Sequence, residues 1–158
     1  MNLDSRFIIS YLNIKKLFFL NLITIFLFII DRLAKKIFFA TGGEYFIFGD
    51  WLKLKLALNP GIAFGIEINF FILLVGYILI FLCLAWFLVD VCQKRRYFMI
   101  FCFGLIIAGA FSNLLDRFYI GQVIDYIDVK YFSVFNLADA MIVGGVVGIL
   151  SKGINNKK

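Results

Sequence analysis

The chain has 158 residues, of which 63% are hydrophobic and 16% charged, with 21 Phe, one Pro, a formal charge of +6 and a mean hydropathy of +0.98. A soluble domain carries about 25% charged and about 45–50% apolar residues, so this composition excludes one and requires an integral membrane protein. No histidine occurs anywhere, which removes Ser-His-Asp and Cys-His nucleophile arrangements and the usual zinc sites together.

A spanning helix needs about 20 mostly apolar residues. The first candidate covers about 17–39 and follows Arg6, Lys15 and Lys16, the order of a secretory signal. No A-x-A-like site follows its apolar core, however, and the charged DRLAKK comes next, so it is read as a retained helix. Asp31 and Lys35 stand four apart, acid first, the favourable order for a helical pair. The spacing suits a surface pair or an inward-facing pair that steadies a site.

An outer amphipathic segment of about 30 residues comes next. Positions 51–56 alternate polar and apolar residues and read as a short strand against the membrane surface. Asn59-Pro60-Gly61 forces a turn, because Pro fixes φ and Gly permits positive φ. The apolar residues 62–65 point to backbone dipping toward lipid, with Asn59 as the polar tip.

The second helix covers about 70–89 and the third about 98–117. Near the end of the third, Ala108, Gly109, Ala110 and Ser112 permit close helix packing. Asn113, Asp116 and Arg117 share one face. Either Asp116 and Arg117 neutralise each other at the interface, or Asn113 and Arg117 aim a carboxamide and a guanidinium at a peptide carbonyl or carboxylate. Residues 121–129 read as a β-like outer segment. Its alternation places Val123, Asp125 and Ile127 on one face and a solvent-exposed Asp128 on the other, so Asp125 has the surroundings that perturb a carboxyl.

The fourth helix, about 137–151, is short. Asn136 fits its N-cap and Asp139 its third position, a relative of the capping box. Alternatively, Asp139 faces Asp125 across a cleft. Two close carboxylates cannot both ionise easily, so one keeps a proton while the other takes one from water. Such a pair hydrolyses amides without metal or covalent intermediate, the most economical route in a chain lacking histidine.

Charge sets the expected orientation. The N-terminal arm, the loop between helices two and three, and the C-terminal tail hold nine basic residues against Asp4 and Asp90, a balance of +7. The opposite side holds seven basic residues against eight acids, a balance of −1. Basic loops stay inside, so both termini are expected in the cytoplasm. The surplus charge is then a topology signal, and no basic stripe interleaved with aromatics points to nucleic acid. Cys83, Cys92 and Cys102 form no CxxC and read as apolar filler. No phosphate-binding glycine loop or internal repeat is present.

Four blocks carry a resemblance over nearly the whole chain: Asp31 to Lys35, NPGIAF at 59–64, AGAFSNLLDRFYIGQVIDY at 108–126 and FNLADAMIVGG at 135–145. The sequence resembles the lipoprotein signal peptidases, or signal peptidase II. The resemblance implies an all-α membrane protein of one domain, 1–158, with four transmembrane helices, a small outer-face β-like segment and an amphipathic outer loop. It implies an aspartic endopeptidase of the bacterial plasma membrane that removes signal peptides from lipid-modified prolipoproteins, just before the modified cysteine. Asp125 and Asp139 would be the catalytic pair, near the outer face. Asn59, Gly61, Asn113, Asp116, Arg117, Asn136 and Ala138 would shape the site, with Asp31 and Lys35 steadying it. Lipid-modified prolipoproteins and membrane lipids are the expected partners, with no metal, cofactor or nucleic acid, and the chain is expected to be a monomer.

Three positions depart from the common family pattern. Ala34 replaces a usual Ser or Thr, Ser112 a frequent Gly, and Tyr126 a frequent Phe. The stretch from 126 to 138 is also short. The rival readings are a small transporter or proton-conducting protein, whose acids would lie mid-helix, and an assembly factor using small-residue faces such as Gly144-Gly145.

Overall fold

The computed structural model describes residues 3–61 and 69–155. Seven elements follow in order: α1 (Leu3–Thr41), β1 (Glu44–Phe48), β2 (Leu52–Asn59), α2 (Phe70–Gln93), α3 (Tyr97–Ile120), β3 (Val123–Val129) and α4 (Leu137–Asn155). The four expected helices are present, each longer than the sequence pattern marked. Three contain segments long and apolar enough to cross a membrane: Leu17–Thr41, Phe70–Gln93 and Tyr97–Ile120. The 19-residue α4 is not among them; it carries Asp139 in its first turn and Lys152 in its last.

Helix α3 packs against α1, α2 and α4. Its small residues permit this. A Cβ on Gly109 would collide with the Ala138 carbonyl oxygen of α4, and the Ala138 side chain is itself fully buried. Farther along, a Cβ on Gly145 would lie 2.6 Å from the Cys102 carbonyl oxygen. Backbones this close gain dispersion contacts in a medium where water drives nothing. Gly144, by contrast, faces open space. Large apolar side chains elsewhere, including Phe26, Phe71, Leu79 and Trp86, point outward as lipid-facing groups do.

The strands form one antiparallel sheet in the order β1-β2-β3. Strand β1 was not evident in the sequence; it pairs with β2 across a turn in which Gly49 takes a φ of 51°. Gly121, with a φ of 81°, ends α3 in a left-handed cap and turns the chain into β3. Ile127 then exchanges backbone hydrogen bonds with Phe135, drawing the start of α4 alongside β3. One strand thus joins the C-terminal end of α3 to the mouth of α4.

Two expectations about β3 need correction. Residues 123–126 are all buried, because α1 and α3 pack against the strand while β2 pairs along its edge, so alternation does not separate inside from outside. Asp128 is not freely exposed: it accepts an ion pair from Lys55 at 2.7 Å, and its side chain is 19% exposed. The apolar residues 62–65 lie outside the described residues.

Candidate active site

Asn136 precedes α4, where unpaired backbone N–H groups make a polar cap favourable. Its Oδ1 accepts from the Asp139 backbone N–H at 2.8 Å, and the Asp139 Oδ2 accepts from the Asn136 N–H at 3.2 Å. This reciprocal capping box fixes the Asp139 carboxylate at the positive end of the helix. The Asn136 Nδ2 is free to turn the other way. It donates to Asp125 Oδ1 at 2.6 Å and to Asn113 Oδ1 at 3.1 Å. One residue therefore holds both carboxylates, Asp139 through its backbone and Asp125 through its side chain.

Asp125 is buried on β3 and receives a second donor from the last residue of β2. Asn59 Nδ2 lies 3.3 Å from Asp125 Oδ2, while Asn59 Oδ1 accepts the Gly61 N–H at 3.0 Å and so shapes the turn. Burial and then the nearby Asp139 charge push the Asp125 carboxyl up to about 6; the two carboxamide donors oppose the rise.

Beneath this pair lies a dry ionic cluster. Lys35 and Asp31 are both 0% exposed and pair at 3.1 Å, so their spacing marks an inward-facing pair. Lys35 also reaches Asp116 at 2.8 Å and Asn113 Oδ1 at 2.7 Å. Because Asn113 Oδ1 accepts from Lys35 and Asn136, its Nδ2 must face the other way, and it donates to Asp139 Oδ1 at 2.7 Å. The ammonium of α1 thereby orients a carboxamide of α3 toward a carboxylate of α4. Asp116, paired also with Arg32, accepts the Ile124 N–H and secures β3.

Asp31 acts across the helix interface. Its Oδ1 accepts the Ala138 N–H at 3.1 Å, supplying an anion to the α4 N-terminus from another helix. Two hydroxyls complete its shell: Ser112 donates at 2.6 Å and Tyr126 at 3.1 Å. Tyr126 also accepts the Leu137 N–H at 3.2 Å, and its ring stacks on Phe38 at 5.4 Å. Burial and the Asp31 charge push the Tyr126 phenol up, so it keeps its proton and remains a donor.

Arg117 is 8% exposed and approaches from the opposite side. It donates to the Gly61 carbonyl at 2.8 Å and to the Tyr77 hydroxyl at 2.6 Å. The assembled charges are then Arg32, Lys35 and Arg117 against Asp31, Asp116, Asp125 and Asp139. Arg32 and Lys35 pair directly with Asp31 and Asp116, whereas both partners of Arg117 are neutral, so four carboxylates gather with three cations. Among the described residues, no group of three or more His, Cys, Asp or Glu is placed to hold a metal ion.

All eleven residues named from the sequence meet here, contributed by α1, α3, α4 and the residue before it, β3, and the end of β2 with the turn after it. Four further contributors were not assigned to the site: Arg32, Tyr77, Ser112 and Tyr126. From the sequence, Ser112 is marked by its small size and, like Tyr126, as a departure from the family pattern. Their hydroxyls converge on Asp31, a relation that depends on how α1, α3 and β3 pack. Cys102 is buried between α3 and α4, while Cys83 and Cys92 are exposed.

The family model for signal peptidase II matches residues 23–154. The lipoprotein signal peptidase of Caldicellulosiruptor bescii is 36% identical, with 76% of this chain and 80% of that protein covered. That of Staphylococcus aureus is 33% identical, with 87% and 90% covered. A bacterial membrane enzyme solved by the in meso method at 2.3 Å superposes with a TM-score of 0.72 at 31% identity, covering 87% of this chain and 90% of that one.

Proposed function

Since the chain belongs to the signal peptidase II family, we propose that it is an aspartic endopeptidase in which Asp125 and Asp139 share one proton and activate water against a peptide bond. The observation that carries this reading is the grip of Asn136 on both carboxylates, inside a cluster with one carboxylate more than its cations. The ionised partner takes a proton from water as the oxygen attacks the scissile carbonyl. The protonated partner donates to the carbonyl oxygen, giving a neutral tetrahedral diol. As the diol collapses, one of its hydroxyls returns a proton to the carboxylate that had donated it, the C–N bond breaks, and the proton taken from water passes to the leaving amine, which restores the singly protonated pair. The pair titrates as a unit, so these roles belong to the dyad.

The substrate class is a lipid-modified precursor cut before its modified cysteine, a reading that the relatives' name, lipoprotein signal peptidase, supports as far as a lipoprotein substrate. An acyl-bearing helix must be met within the bilayer, and the outward apolar faces of α1 and α2 suit that encounter. Topology follows the charge balance: both termini cytoplasmic and the dyad near the outer face, with the chain working as a monomer. Purified protein should release a signal peptide from a diacylglyceryl-modified precursor, with mass spectrometry placing the new N-terminus at the modified cysteine. Cleavage elsewhere, or equal cleavage of an unmodified precursor, would contradict the assignment.

A further inference from the structure

Helix α2 reaches a mean hydropathy of 2.9 over its most apolar 18 residues and has a single hydroxyl, that of Tyr77. A polar group on such a helix is expensive unless it is hydrogen bonded. Tyr77 meets this demand halfway. Its oxygen accepts from Arg117 Nη1 at 2.6 Å, and the guanidinium carbon lies 5.6 Å from its ring centroid. Accepting that bond leaves its own O–H proton to donate, and no acceptor for it occurs among the described residues. Arg117 shows the same pattern. Nη1 and Nη2 are committed to Tyr77 and Gly61, while buried Nε has no partner among the described residues.

The Tyr77 O–H and the Arg117 Nε–H therefore both lack an acceptor among the described residues, one helical turn beyond Asn113, which holds Asp139. Four carboxylates already outnumber three cations here, so another anion is disfavoured and a neutral carbonyl oxygen is the acceptor that fits. We propose that Tyr77 is a substrate-binding residue that steadies Arg117 from α2 and donates its O–H to a carbonyl of the lipid-modified substrate. This rests on the peptidase reading above. Such a substrate carries carbonyls of two origins, the peptide backbone and the acyl esters, and both present the same oxygen chemistry.

The test uses the full chain in lipid nanodiscs, with Tyr77→Phe and Tyr77→Leu assayed on a diacylglyceryl precursor and on its dialkyl ether counterpart. Loss of one hydrogen bond should raise KM about 3- to 10-fold in both variants, with kcat within about twofold; because Arg117 loses an acceptor, the thermal midpoint of Tyr77→Phe should fall somewhat as well, so KM is the deciding readout. If the KM difference vanishes on the ether substrate, the partner is an ester carbonyl; if it persists on both, it is a peptide carbonyl. An unchanged KM in Tyr77→Phe would overturn the proposal. So would a loss confined to Tyr77→Leu, or a fall in kcat accompanied only by a lower melting point, since each marks packing. Wild-type protein that leaves both precursors intact would instead refute the peptidase reading, and this inference with it.

Discussion

Replacing Lys35 with Met keeps nearly the same volume and removes the one ammonium at the centre of the buried cluster. The side chain loses pairs with Asp31 at 3.1 Å and Asp116 at 2.8 Å, and a bond to Asn113 Oδ1 at 2.7 Å. Breaking a buried ion pair from one side costs about 3–5 kcal/mol, because the abandoned charge has no water to return to. Here Asp31 retains Ser112, Tyr126 and the Ala138 N–H, and Asp116 retains Arg32 and the Ile124 N–H. Those donors place the loss at the lower end, about 3 kcal/mol. Denaturant titration in mixed micelles measures it. Activity should fall about tenfold or more as well, since Asn113 loses a restraint that directs it at Asp139. Adding Asp31→Asn should recover part of the stability by removing a stranded carboxylate. A Lys35→Met protein as stable as the wild type would refute the premise that this ammonium balances the cluster.

Two other outcomes follow from the same geometry. The Asp125 carboxyl, near 3.8 in an unfolded chain, stands at about 6 here. The folded state therefore binds that proton more tightly. Asp125's contribution is full below its unfolded value and is lost as pH climbs to about 6, a difference of about 3 kcal/mol that Asp125→Asn should abolish in titrations across that window. Gly109→Ala should destabilise by about 1–3 kcal/mol and lower cleavage, because its Cβ drives the Ala138 carbonyl and the mouth of α4 away from α3. Gly144→Ala, facing open space, should leave stability and cleavage unchanged.

The helices and the site were legible to different degrees, for physical reasons. Apolar runs mark helices well, although α1, α3 and α4 extend past the apolar stretches because helical hydrogen bonding does not stop where hydropathy falls. The capping box at Asn136 and Asp139 was readable because capping is local in sequence. Strand β1 was not, since Glu44–Phe48 lacks alternation and owes its form to pairing with β2. Nor was the hydroxyl shell of Asp31, built from Ser112 and Tyr126 at separations of 81 and 95 residues. Asp128 looked free because its partner, Lys55, lies on another strand. The Gly144-Gly145 pair also resolves: Gly145 serves contact between α3 and α4 within the chain, leaving less reason to read the pair as a face for assembly.

The central claim is that Asp125 and Asp139 together activate water. Its most direct test is the rate of precursor cleavage by purified Asp125→Asn and Asp139→Asn, with Asp128→Asn, whose carboxylate pairs with Lys55 away from the dyad, as control. Both dyad variants should remain folded and lose cleavage, and the control should keep most of it. Normal cleavage by folded Asp139→Asn would contradict the account.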